Sequence, residues 1–324
     1  VKEEKEIIPV IVVGGGPCGI AAAAELKKRD IESLIVEKGS VTESIRRYPK
    51  RMRFFSTAEN IEIAGIPFAT GNVKADRNEA LQYYRKVALY FKLKFQLNTT
   101  VKAVEKEGEL FKVITSGETL YAQKVVIATG YFDLARQLNI PGEDLPHVDH
   151  YYDEPYAYSF QHVVIVGAGN SGVEAALELY RHDVHVTLVA RGEDLKPTAK
   201  YWLVPDIKNR IKEGKITLIT NAEAVRIDEK SITLDVAGET RVLPAEHVFL
   251  LVGYLPDGTL LEDSGLKPEP ISLLTPHNTK TYETDVKGLY LCGTILAGIH
   301  TEKVFIENGR EHAIAIAEDI EGSF

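Results

Sequence analysis

Thiols are scarce in this chain. Cys18 and Cys292 are its only cysteines among 324 residues, too few for a disulfide framework, so a reducing cytosol is the expected compartment. Positive charge is short as well: 38 Lys and Arg face 47 Asp and Glu, a net charge of -9. A nucleic-acid partner would want a basic face, and nothing here pulls toward anionic membranes. No apolar run approaches membrane-spanning length. The opening VKEEKE mixes charges with no apolar stretch behind it, so it does not read as a signal peptide. No metal site is expected. What remains is ordinary for a globular protein, 44% hydrophobic and 26% charged, at a length for which two domains are the prior.

The chain is organised around VIVVGGGPCG, Val10 to Gly19. Val10 to Val13 reads as a short buried strand that turns through Gly14 and Gly16 into a helix opening at Pro17, and Gly19 lets that helix pack close to the sheet. Such a turn suits a pyrophosphate, because backbone amides and the positive helix end face the anion and any side chain would hold it off. Pro17 fits the first helical turn, where its missing N–H costs nothing. The next apolar run, Ser33 to Val36, ends in Glu37, followed by Lys38. A carboxylate at that distance is placed to accept ribose hydroxyls. The stretch from Lys38 to Gly71 lacks a clean period, and an irregular segment of that length is expected to wrap a cofactor. Its Arg46, Arg47 and Arg51 are weighed toward a solvated basic face.

Asp76 to Phe91 has helical period. Alternating segments at Thr100 to Val104, Leu110 to Thr115 and Thr119 to Val126 then predict an antiparallel meander, closing on VVIATG, whose Ala128, Thr129 and Gly130 would return beneath the first dinucleotide. IPGEDLP, Ile140 to Pro146, is turn chemistry, and the tyrosine-rich HYYDEPYAY behind it reads as a linker. The opening pattern then recurs. His162 to Val166 is a strand, and Gly167, Gly169 and Gly172, with Asn170 and Ser171 between them, form a second GxGxxG leading into a helix. Two such loops, each between a strand and an amphipathic helix, predict two dinucleotides. The second copy's next strand ends in Arg191 rather than an acid, and an arginine there accommodates a ribose phosphate, which favours NADPH over NADH. Glu193 and Asp194 lie just beyond it.

Further strands are expected at Ile216 to Thr220, Ala224 to Asp228 and Ile232 to Val236. VFLLVGYLPD is a buried strand ending at Gly253, and GLYLCGT carries another into Gly293 and Thr294. A final helix over Glu302 to Asp319, capped by Thr301, would aim its positive end at a flavin ring. The simplest assembly is α/β, two nested Rossmann-like dinucleotide-binding domains. Residues 1–131 and 248–324 form an FAD-binding domain, into which residues 132–247 insert an NADPH-binding domain.

Nested folds joined by ATG and VGY strand ends resemble the two-domain flavoprotein reductases. Within them, GGGPCG at Gly14, FFSTAENIEIAGIPF at Phe54, IPGEDLPHVDHYY at Ile140, GAGNSGVEAALELYRH at Gly167, KYWLVPDIKNRI at Lys200 and FIENGREHA at Phe305 are similar to the bacillithiol disulfide reductase family of YpdA type. The resemblance implies FAD in the first fold, NADPH in the second, and reduction of the symmetric disulfide of a low-molecular-weight thiol. It also implies a redox role for Cys18, which stands where that family has its proposed redox cysteine. A helix N-terminus lowers a thiol's pKa and would suit the role, although a free cysteine there also serves as a small packing residue. Cys292, inside an apolar strand, reads as core. Thioredoxin reductases share the architecture but carry a CxxC pair, which this chain lacks. Thr294 stands where the superfamily commonly has an Asp that holds the ribityl chain, a departure the YpdA type shares.

Three rivals stand beside this reading. An electron-transfer reductase passing electrons from NADPH to ferredoxin or flavodoxin needs no thiol. A flavin monooxygenase would want an FxGxxxH stretch that IPGEDLPHVDHYY does not reproduce. A non-catalytic flavin module would leave two loops idle. The host's thiol and the oligomeric state, a homo-oligomer included, stay open at this level.

Overall fold

The protein is described by a computed structural model covering residues 6–197 and 199–324. Apart from Glu6, the opening VKEEKE lies outside the described residues. The chain divides into two compact units. Unit 1 gathers Val1–Arg47, Arg53–Leu134 and Tyr254–Phe324, and unit 2 gathers Tyr48–Met52 and Ala135–Gly253. None of the described helices is long and apolar enough to cross a membrane.

Unit 1 is built on a seven-stranded sheet. Lys94–Gln96, Ser33–Val36, Ile7–Val13 and Thr119–Ile127 run parallel in that spatial order. Thr119–Ile127 divides its other edge: its first half pairs antiparallel with Leu110–Thr115, and its second half takes the late strand Leu289–Leu291 in parallel. The apolar run Val10 to Val13 is buried throughout, as expected of a parallel strand covered on both faces. Behind it, the first helix, Pro17–Lys27, has every residue from Gly19 to Leu26 buried. Four consecutive alanines, Ala21 to Ala24, explain how this is possible. Their small side chains let the last helix, Ile306–Glu321, lie close against the first. The far ends of the two helices are tied by Arg29, which reaches Glu25 at 3.1 Å, Glu318 at 3.2 Å and Glu321 at 3.3 Å.

The last helix begins later than its sequence pattern predicts. Residues 301–303 form a turn and bend, with Lys303 N–H donating to the His300 carbonyl. The extended Phe305 is held by the Asn308 side chain, which accepts its N–H at 2.9 Å. The cap therefore comes from Asn308, inside the helix, rather than from Thr301.

Unit 2 holds a five-stranded parallel sheet, in the order Ile216–Ile219, His185–Val189, His162–Val166, His247–Leu250 and Val148–Asp149. A separate antiparallel meander, Ala222–Asp228, Ser231–Val236 and Glu239–Pro244, completes it. Its third strand carries almost no buried residue, so it leaves no hydrophobic alternation to read. The tyrosine-rich stretch expected as a linker packs into this unit instead. Tyr152 is buried edge-on against Phe249, and Tyr158 lies against both Phe249 and His247. Tyr48–Met52 belongs here too, with Lys50 paired to Asp153 at 3.1 Å and Glu154 at 3.0 Å.

Candidate functional site

The two glycine loops are built alike, one in each unit. In unit 1, Gly14 has φ +105°, and a Cβ on it would stand 2.6 Å from the Ala128 carbonyl. The loop therefore sits directly on the end of the neighbouring strand, where only glycine fits. A Cβ on Gly19 would overlap the Gly14 carbonyl, so the helix starts hard against the turn. In unit 2, Gly167 at φ +115° meets the Leu251 carbonyl, and Gly172 meets the Gly167 carbonyl, in the same manner. Gly16 and Gly169 are the residues preceding the two helices, and neither can supply a side-chain cap. Each helix thus presents amide groups that a dinucleotide's phosphates can accept. A Cβ on Gly16 would meet nothing within 4 Å. That open face is what close approach of a pyrophosphate needs. Pro17 takes the first helical position.

Glu37 closes the unit 1 site. It is buried, and its carboxylate accepts the Gly15 N–H at 2.6 Å and the Gly39 N–H at 2.8 Å. Burial raises its pKa, against the lowering effect of those two backbone donors. Each carboxylate oxygen has a second lone pair left for a ribose hydroxyl. Ala128 is buried and Gly130 lies at φ +71°. Between them, Thr129 has a buried hydroxyl oxygen with no hydrogen-bond partner. An orphaned buried hydroxyl beside a glycine loop is the kind of group a bound ligand satisfies, and the set fits FAD. Lys38 is committed elsewhere, paired with Asp133 at 2.8 Å, and Arg47 shares that carboxylate at 2.9 Å. Arg46 pairs with Glu43. In unit 2, Arg51 faces Glu178 at 3.7 Å. These arginines are therefore held in ion pairs.

Cys18 sits in the first turn of the first helix, and the structure gives its sulfur a cleft rather than an opening. A Cβ on Gly293 would come within 2.7 Å of Sγ, and a Cβ on Gly309, in the last helix, would overlap it. Although the residue as a whole is half-buried, burial pushes the Cys18 thiol up to about 12. The helix end was expected to pull this value down; enclosure between two glycines outweighs it. Cys292 is fully buried, and its thiol donates to the Cys18 carbonyl at 3.8 Å and the Gly309 carbonyl at 3.7 Å. Both cysteines thus meet at the seam where the first helix, the last strand and the last helix join. Thr294, half-buried, follows Gly293 in the short helical turn Gly293–Ala297.

In unit 2, Asn170 carries a buried side-chain oxygen without a partner, and Ser171 beside it is half-buried. That oxygen can accept from a ligand hydroxyl or amide, while the uncapped amides of the helix behind Gly169 fit the phosphates of NADPH. Arg191 is exposed and makes no ion pair among the described residues. Lys196 is a residue the sequence reading missed. Its N–H donates to the Ala168 carbonyl at 2.9 Å, and its stem lies 3.6 Å from where a Cβ on Gly169 would be. The stem of Lys196 thus runs beside the glycine loop, and its ammonium makes no ion pair among the described residues. The sequence signal was a lone lysine shortly after the strand, too common to single out. One turn into the same helix, Glu174 pairs with the buried Lys200 at 2.6 Å.

The family profile described as pyridine nucleotide-disulphide oxidoreductase matches residues 11–293. Bacilliredoxin reductase Bdr of Bacillus subtilis (strain 168) is 38% identical over 313 residues, covering 96% of both chains. Two solved structures titled bacillithiol disulfide reductase Bdr (YpdA) align over nearly all of the chain. That from Staphylococcus aureus has a TM-score of 0.95 at 36% identity, covering 98% of this chain and 99% of that one. That from Bacillus cereus has a TM-score of 0.96 at 37% identity, covering 98% and 100%.

Proposed function

The chain belongs to the pyridine nucleotide-disulphide oxidoreductase family, in its Bdr (YpdA) branch, and on that footing we propose that it is an NADPH-dependent flavoprotein reducing the disulfide of a low-molecular-weight thiol, bacillithiol disulfide. It is an oxidoreductase whose cofactors are FAD and NADPH. Held by the Gly14–Gly19 loop, Glu37 and Thr129, FAD would supply two-electron transfer between NADPH and the disulfide. The protein's part is to hold both nucleotides and to admit the acceptor. The observation that carries the reading is the pair of glycine loops, one closed by the buried acid Glu37 and the other flanked by the cations Arg191 and Lys196. The first arrangement suits a ribose diol and the second a phosphorylated ribose. The scarcity of thiols supports work in the reducing cytoplasm.

Cys18 has two possible parts. As a relay, its thiolate attacks the small disulfide, one thiol leaves, and two electrons then cleave the mixed disulfide to release the second thiol and restore Cys18. That requires the sulfur to turn out of the cleft between Gly293 and Gly309. The raised thiol pKa and the overlap at Gly309 favour the other part, in which Cys18 packs the seam and the disulfide is reduced at the flavin directly.

The test is NADPH oxidation by the FAD-loaded enzyme with bacillithiol disulfide, oxidised thioredoxin or ferredoxin as sole acceptor. Turnover is expected with the first and little with the second, since no CxxC is present to exchange with a protein dithiol. Efficient turnover with ferredoxin alone would overturn the reading in favour of electron transfer. Cys18→Ala separates the two parts: loss of disulfide reduction with a general electron acceptor still served identifies a relay, and survival of both identifies packing.

A further inference from the structure

The last strand of unit 1 leaves its sheet at Cys292, whose N–H still donates to the Ile127 carbonyl at 2.9 Å. The next residue, Gly293, is in the left-handed region at φ +80° and opens the short turn that carries Thr294. Its N–H is the first that the sheet no longer uses, and it is buried. Left without a partner, such a group bears its full desolvation cost. The partner is a side chain from the last helix: His312 Nδ1 accepts the Gly293 N–H at 3.3 Å.

His312 is held for that purpose. It is 8% exposed, and the Tyr282 ring lies 4.3 Å from its own. Tyr282 is backed in turn by His277, and its carbonyl accepts the Leu291 N–H. On its other side Gly293 is blocked by Cys18, the second residue of the helix whose amino end forms the unit 1 glycine loop. The Gly293 peptide is therefore pinned between an acceptor behind it and the loop helix in front. Thr294 has no charge with which to orient itself, so the direction it faces is inherited from this peptide.

We propose that His312 is a positioning residue for the flavin site, fixing the Cys292–Gly293 peptide, and with it the turn into Thr294, against the first glycine loop through its Nδ1 acceptor. This rests on the reading that FAD occupies unit 1. The role requires an acceptor at one place, not an imidazole as such. Asparagine carries its oxygen on the same Cγ that bears Nδ1 in histidine, whereas glutamine carries it one bond farther out. That difference separates positioning from mere filling of space.

The experiment titrates FAD into the apoproteins of the wild type, His312→Asn, His312→Gln and His312→Leu, following flavin fluorescence, with thermal melts of each apoprotein alongside. Expected is a Kd for His312→Asn within about threefold of wild type, and at least about tenfold weaker binding for Gln and Leu. Equal affinity of the Asn and Gln variants, or wild-type affinity in the Leu variant, overturns the proposal. If the Leu apoprotein does not fold, the Asn and Gln pair decides alone. A wild-type apoprotein that takes up no FAD overturns both this inference and the reading beneath it, whereas wild-type uptake with Asn and Gln alike overturns the role of His312 only.

Discussion

Cys18 and Gly309 share one side chain's worth of space: the sulfur from the first helix fills the position a Cβ on the last helix would take. The sequence similarity in GGGPCG and FIENGREHA thus reflects two halves of a single contact, nearly 300 residues apart in the chain. It also couples whatever Cys18 does chemically to how closely the two helices pack.

Gly309→Ala is accordingly expected to destabilise the protein by about 1–3 kcal/mol, the usual cost of overpacking. In Cys18→Ala the offending sulfur is gone, and the next contacts of that Cβ stand at 3.3 Å. The double variant should then recover at least half of the loss. Urea unfolding of the four proteins measures the coupling, and strictly additive effects would show that the two residues do not compete for the space.

A thiol held near 12 has only about one molecule in ten thousand ionised at pH 8. Native protein should therefore resist iodoacetamide at Cys18 and react fully once unfolded, as read by mass spectrometry of labelled peptides. Labelling switched on when NADPH is added to the FAD-loaded enzyme would show that the sulfur leaves its cleft during turnover, and would restore the relay.

His312 gives stability a defined dependence on pH. Burial, with His277 adding to it, lowers its pKa from 6.5 to about 4. Above pH 6.5 the imidazole is neutral in both folded and unfolded chains and contributes no slope. Between pH 6.5 and 4 the unfolded chain takes up a proton that the folded one refuses, so stability falls by about 3 kcal/mol across that window and no further below it. His312→Asn should flatten this part of the profile. An unchanged slope in urea unfolding from pH 7 to 4 would place the titration elsewhere.

Coenzyme choice should follow Arg191 and Lys196, which make no ion pair among the described residues. Arg191→Glu is expected to reduce the kcat/KM preference for NADPH over NADH by about 10- to 100-fold, the worth of one or two charge-assisted hydrogen bonds. Lys196→Met tells where its ammonium works. Loss with NADPH alone places it on the ribose phosphate, and equal loss with both nucleotides places it on the pyrophosphate that they share. An unaltered preference in both variants would remove the electrostatic account.

The geometry of both glycine loops, and of Glu37 against the first, was legible in the sequence, because a turn that must lie against a neighbouring strand admits so few residues that its spacing is a signature. Lys196 was not, since it reaches the loop through a backbone hydrogen bond and the run of its stem, neither of which leaves a pattern. His312 was hidden for a related reason: its partner is an amide 19 residues away, and a lone histidine in an amphipathic helix reads as core. Tyr152 was misjudged because tyrosines between Pro and Gly turns look like linker until Phe249 is found beneath them. The strand Glu239–Pro244, exposed almost throughout, carried no hydrophobic period to detect.

Unit 1 is assembled from segments on both sides of unit 2 in the chain, and that sets an order on its synthesis. The first glycine loop emerges early, yet the strand Leu289–Leu291 that completes its sheet and the helix Ile306–Glu321 that covers Pro17–Lys27 are made far later, after the whole of unit 2. At about 5–20 residues per second, the apolar face of the alanine helix waits on the order of tens of seconds for its cover. The inserted half, by contrast, has almost all of its residues in one run, Ala135–Gly253, and can fold while the ribosome is still at work. A nascent chain stalled before residue 289 would therefore carry a finished unit 2 and an open unit 1.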